Sequence, residues 1–87
     1  MTRERAQQIG LYLINKEIAE KGLNAVHMKA PMKGKNTWTC KEYKEALEND
    51  EDLENADNPI DDILLYEEYL NMKGKSMEDD EEIKNIK

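Results

Sequence analysis

Phenylalanine is absent from this 87-residue chain, and cysteine, histidine and tryptophan occur once each. The single thiol, Cys40, excludes an intrachain disulfide framework and fits a reducing compartment. The single histidine, His27, excludes most zinc arrangements, because Cys40 stands alone thirteen residues further on, outside ligand spacing. The longest early apolar run is residues 11–14, far too short for a signal-peptide core or a spanning helix, so the expectation is a cytoplasmic protein away from the membrane. No nucleophile–base–acid set, metal-ligand set or phosphate-cradling glycine loop is present, which points to a non-enzymatic protein without metal or cofactor. No arginine follows Arg5, and no Lys or Arg at all lies between residues 45 and 72.

That last absence organises what remains. The 45–72 stretch carries eleven Asp and Glu residues. Residues 1–44 hold nine Lys and Arg against four acids, net +5, and residues 45–87 hold four Lys against sixteen acids, net −12, which together give the formal charge of −7. Halves of opposite sign either face one another in the fold or meet a charged partner. A chain this short buries roughly 60–65% of the surface its unfolded form exposes. Its stability is bounded on the order of 4–13 kcal/mol, so the core is small and repulsion among carboxylates is a significant cost.

Local patterns predict three helices. Residues 2–21 read as the first, with Thr2 as cap, Glu4 in the first turn and Gly22 as the left-handed stop. Its apolar residues form two seams, Leu11/Ile14/Ile18 and Ala6/Ile9/Leu13, so this helix is either covered by the chain's own elements or shared with a second copy in a homodimer. Residues 23–38 break the helical pattern and predict a short β-hairpin or irregular loop turned by Pro31 and Gly34. Thr39-Cys40-Lys41-Glu42 is a capping box, and Trp38 with Tyr43 forms the matching hydrophobic staple. Residues 49–58 read as a solvated linker. Asn58-Pro59 opens the third helix, with Asp61 and Asp62 in its first turn and Gly74 at its end. Ile63, Leu65, Tyr66, Tyr69, Leu70 and Met72 are expected to form its core face, with Asp61, Glu67, Glu68 and Asn71 outside. Five successive acids at 78–82 predict a partly disordered tail, although Ser76 can cap a short last helix. The fold class expected is mainly α: a three-helix small domain, residues 1–75, with a short hairpin or irregular loop between helices 1 and 2, followed by an acidic C-terminal tail, residues 76–87.

Several residue sets carry part of a known chemistry. Cys40 at a helix start beside Lys41 and Lys44 has surroundings that favour a thiolate, but no base completes a nucleophile; the plain alternative is a small buried side chain. Asp50, Asp52, Glu54, Asn58 and Asp61 fall at calcium-loop spacing, yet Asn55 occupies the position where glycine makes the turn and Asp61 replaces the bidentate Glu. The Lys-rich stretch 29–44 (Lys29, Lys33, Lys35, Lys41, Lys44) interleaves Trp38 and Tyr43, a pattern for gripping single-stranded nucleic acid.

The reading favoured is an acidic protein-binding module, an inhibitor or regulator of phage or mobile-element type. Its carboxylates would mimic a nucleic-acid backbone and occupy a basic nucleic-acid-binding site on another protein. The expected contact residues are Asp50, Glu51, Asp52, Glu54, Asp61, Glu67 and Glu68, with Met28, Met32 and Trp38 as apolar anchors. The alternative is a nucleic-acid-binding regulator using residues 29–44.

Overall fold

Thr2 and Gly22 bound the first helix as their side chain and backbone dictate. In the computed structural model, which describes residues 1–28, 37–53 and 57–87 and the side chains of all of these except Met28 and Thr37, α1 spans Arg3–Lys21. The Arg5 amide donates to Thr2 Oγ1 at 3.1 Å. Gly22 closes the helix at φ 94°, and its amide donates to the Ile18 carbonyl at 2.7 Å. Two short strands follow, β1 (Val26–Met28) and β2 (Thr37–Thr39), antiparallel with His27 opposite Trp38. Mainly helical architecture with a small hairpin between the first two helices is thus the observed fold; Pro31 and Gly34, expected to turn that hairpin, lie outside the described residues.

The second helix, α2 (Cys40–Asn49), starts on the expected capping box. Glu42 N donates to Thr39 Oγ1 at 3.2 Å, and Thr39 N donates to Glu42 Oε1 at 3.0 Å. Tyr43 packs against Trp38 as the staple requires. Asp50 ends the helix in the left-handed region at φ 53°, a conformation Asp tolerates better than most residues. The third helix, α3 (Pro59–Met72), has Asn58 as cap, its Oδ1 accepting from Ile60 N at 2.9 Å, and Pro59 in the first turn, where the missing amide costs nothing.

For the segment expected as a partly disordered tail, the alternative of a short last element capped by Ser76 is the form observed. Met77–Asp79 makes a 3-10 turn capped by Ser76, and α4 (Glu81–Lys84) follows, capped by Asp80. Arg5 of α1 holds this segment: its guanidinium bonds Glu78 Oε1 at 2.6 Å and the carbonyls of Ile83 at 2.9 Å and Ile86 at 2.6 Å. Lys16 adds a bond to Glu82 at 2.6 Å. These cations neutralise part of the acidic run, and Ile86 is buried.

α1 packs against both α2 and α3, so its two apolar sides are largely occupied by the chain itself. The core is built from Ala6, Ile14, Cys40, Leu47 and Ile60, and a second buried group of Trp38, Ala46 and Leu53 lies beside it, with Tyr43 packed against both. Of the expected seams Ala6, Ile9 and Ile14 are buried while Leu13 is 39% exposed; the buried stripe runs through Ala6, Ile9, Gly10 and Ile14. Small residues make that stripe hard to see as hydrophobic, yet they are what lets the helices close. A Cβ on Gly10 would stand 2.8 Å from both Ile63 Cδ1 and Leu47 Cδ2. Among the described residues no helix is long and apolar enough to cross a membrane.

Gly10→Ala therefore forces Leu47 and Ile63 away from α1. Overpacking of this kind costs about 1–3 kcal/mol, of which better helix propensity returns about 1 kcal/mol. Urea denaturation is expected to show a net loss of about 1 kcal/mol; a variant as stable as the wild type would mean that the close approach constrains nothing.

Candidate interaction surface

α3 places its side chains by one choice of rotation. Ile60, Ile63, Leu64 and Glu67, at i, i+3, i+4 and i+7, turn toward α1 and α2. Glu67 is only 6% exposed. Its carboxylate accepts from Ser76 Oγ and from the Met77 amide, both at 2.8 Å, and so satisfies the start of the 3-10 turn. The core face expected from the sequence is accordingly reversed in part. Leu65, Tyr66, Tyr69 and Met72 are 60%, 53%, 50% and 82% exposed. They lie on two adjacent rows of the helix, the Tyr66 and Tyr69 rings stacked with centroids 6.5 Å apart, and Lys73 Nζ sits 4.6 Å above the Tyr69 ring. Glu68 is exposed on the same row as Leu65 and Met72.

The carboxylates proposed as an outer wall divide into separate groups. Asp50 and Asp61 both face Arg3, whose Nε donates to Asp50 Oδ2 at 2.8 Å while its terminal nitrogens reach Asp50 Oδ1 and Asp61 Oδ1. Asn58 Nδ2 also donates to Asp50 Oδ1, at 2.8 Å. One guanidinium thereby joins the start of α1, the end of α2 and the start of α3. Glu67 points inward, as above. Glu51, Asp52 and Glu68 are exposed, like Glu45, Glu48 and Asp57, and none of these six is paired with a described cation. Glu54, Met32 and the side chain of Met28 lie outside the described residues. Trp38, expected as an exposed anchor, is 1% exposed in the core; the staple that starts α2 consumes its ring.

The other candidate residues also have definite places. The two ends of the candidate calcium loop, Asp50 and Asp61, are spent on Arg3, and no group of three potential metal ligands occurs among the described residues. In the Lys-rich stretch, Lys41 is exposed and Lys44 half-buried, while Lys29, Lys33 and Lys35 lie outside the described residues. With Trp38 buried and Tyr43 half-buried against the His27 ring at 4.1 Å, neither ring is an open platform for a base.

Cys40 is fully buried and its thiol donates to Glu17 Oε2 at 3.3 Å. Burial first, and the Glu17 carboxylate second, push its pKa up, so the helix-start thiolate is not favoured and the plain alternative, a small buried side chain, is what the structure shows. The other oxygen of Glu17 lies 2.8 Å from His27 Nδ1. Burial pushes the Glu17 pKa up, but the hydrogen bonds from His27 and Cys40 outweigh it and leave the carboxyl below its ordinary value. Residue reading missed Arg3, Arg5 and Glu17. The signal for the first two was their identity: they are the chain's two arginines among eleven lysines, and a planar fork suits paired carboxylates better than an ammonium does.

With this geometry in hand, comparison with known proteins adds nothing further: no family model matches the chain, and no curated protein or solved structure gives a significant match.

The ion pairs set a pH dependence. Arg3, and then the Asn58 amide, hold the Asp50 carboxyl at about 2, below its ordinary 3.8. Glu78 and Glu82 are lowered in the same way by Arg5 and Lys16. A depressed carboxylate stabilises the fold above its unfolded pKa, and the contribution is lost as pH falls through the folded value. Thermal melts are expected to be insensitive to Asp50 ionisation near neutrality and to decline as pH falls from about 4 to about 2. In Asp50→Asn the melting temperature at pH 7 is lower and the decline below pH 4 shallower; an unchanged acid limb would remove Asp50 from the account.

Proposed function

We propose that the protein is a non-enzymatic protein-binding module whose contact surface is the outward face of α3. The observation that carries this reading is the run Leu65, Tyr66, Tyr69 and Met72, four large apolar side chains half or more exposed within eight positions of one helix. Leaving such a cluster in water forgoes roughly 25 cal/mol per Å² of apolar area that burial would recover. Clusters of this kind mark contact sites, and tyrosine is among the residues that most often dominate binding energy.

The charge around the face indicates the partner. Glu68 lies within it and Glu51, Asp52 and Asp57 are exposed elsewhere on the same half of the chain, where net charge is −12. A second copy would bring Glu68 against Glu68 or another acid, whereas a basic protein surface gains by contact. The module thus fits a partner with apolar pockets rimmed by Lys or Arg. A nucleic-acid-binding site is one surface of that composition, and occupying it would make the chain an inhibitor or regulator. Pure mimicry of a phosphate backbone fits less well, because Asp50, Asp61 and Glu67 are engaged internally and the centre of the face is apolar.

The test is a double substitution, Leu65→Glu with Tyr69→Glu, compared with the wild type for retention of proteins from a host lysate and then for affinity to the purified partner. Exposed changes of this kind shift stability by no more than about 0.5 kcal/mol, so melting temperatures should agree. Affinity should fall by about 30-fold or more, the loss of about 2 kcal/mol expected of a hot spot, and the wild-type complex should weaken as salt rises. Retention that survives the double substitution would refute the assignment to α3.

A further inference from the structure

A cavity of about 130 Å³ opens where α1, β1, α2 and α3 meet. Leu13, Ile14 and Ile63 form its apolar wall, and the Tyr43 and His27 rings form another side, their centroids 4.1 Å apart. The partial exposure of Leu13 carries the wall to the surface. Of its polar lining residues, His27 and Glu17 meet at one corner, and Tyr43 carries a hydroxyl.

One proton at that corner has a fixed place. A carboxylate accepts hydrogen bonds and cannot donate them, so the 2.8 Å contact with Glu17 puts the proton on His27 Nδ1. In the neutral imidazole this leaves Nε2 as an acceptor, and Nε2 has no partner among the described residues. Glu17 cannot swing to serve it: Oε1 is held by His27, while Oε2 accepts from Cys40 and lies 3.9 Å from Lys21 Nζ. The lining is mostly hydrocarbon, so water entering the cavity finds few of the two to four polar partners that hold a water in place. Loosely held water of this kind is displaced with gain by an apolar group.

We propose that this cavity is a binding site for a small neutral molecule, a single aromatic ring or an aliphatic body of that size, carrying one hydroxyl or N–H that donates to His27 Nε2. The volume sets the size, since a cavity of roughly 150 Å³ in another protein accommodates benzene. The corner sets the polarity. The site uses residues of α1, β1 and α2 together with Ile63, none of them on the outward face of α3, so it stands or falls independently of the protein-binding reading.

Phenol is the probe, and toluene is its counterpart of the same shape without the donor. Titrated into the isotopically labelled full chain, phenol should give saturable shifts at the Gly10 amide and at the His27 ring protons, with a dissociation constant on the order of a millimolar, as suits a ligand of so few atoms. Toluene should bind at least about fivefold more weakly, the ratio one hydrogen bond supplies. Leu13→Trp, at a partly exposed position, should fill the entrance and abolish the shifts while leaving the melting temperature unchanged. Saturation in both the wild type and that variant, or none in the wild type, overturns the site. Equal binding of phenol and toluene overturns the role of Nε2.

Discussion

The three main helices of this protein meet at a point where α1 has no side chain. Gly10 lets Leu47 of α2 and Ile63 of α3 reach the α1 backbone at the same level, and the larger buried residues, Ile14, Leu47 and Ile60, are arranged around that contact. In a domain of this length the core holds few residues, so close approach substitutes for bulk: dispersion contacts rise steeply as surfaces approach. Glycine in a helix is unfavourable by about 1 kcal/mol relative to alanine, and the tight junction of three elements is what offsets it.

Electrostatics then fix the ends that the core leaves loose. Arg3 gathers the C-terminal cap of α2 and the first turn of α3, while Arg5 and Lys16 hold the C-terminal segment against α1. The Arg3 and Lys16 pairs are about half exposed and the Arg5 pair is part-buried, and exposed pairs individually contribute little. Their collective effect is on arrangement: the basic side chains of α1 select which carboxylates of the acidic half are drawn inward. Those left over, Glu45, Glu48, Glu51, Asp52, Asp57 and Glu68, remain at the surface without a described cation and give the molecule its negative field. Of the two alternatives raised by the opposite charges of the two halves, facing one another is therefore realised by one subset of residues, while the other subset stays at the surface.

What could be read from the sequence was local chemistry. Thr39 and Glu42, Thr2, Gly22 and Asn58-Pro59 act within a few residues of themselves, and each helix boundary they imply is present. What could not be read was the outcome of competition between faces. Ala6 and Gly10 carry little hydrophobic signal although they sit at the centre of the α1 interface. Trp38 looked available because the staple's demand on its ring depends on how β2 and α2 fold together. Glu67 looked solvent-facing because its partners, Ser76 and the Met77 amide, are nine and ten residues away across a turn. The Glu17 bonds to His27 and Cys40 span three elements, and no spacing rule links those positions.

The rotation of α3 connects these details to function. A helix with apolar residues at 60, 63, 64, 65, 66, 69, 70 and 72 has more hydrophobic surface than one core contact can cover, so some of it must face outward whichever way it turns. Two requirements settle the angle: Ile63 must reach the bare backbone at Gly10, and the turn at Ser76 needs an anionic acceptor from α3. Positions 63 and 67 are about one turn apart on one side of a helix, so both requirements are met by a single orientation. Leu65, Tyr66, Tyr69 and Met72 are displaced outward as a consequence. All four are half or more exposed, and none belongs to the buried core. Their exposure on one helix, beside acids that the lysines and arginines of α1 leave unmatched, is the feature on which the proposed contact with a partner protein rests.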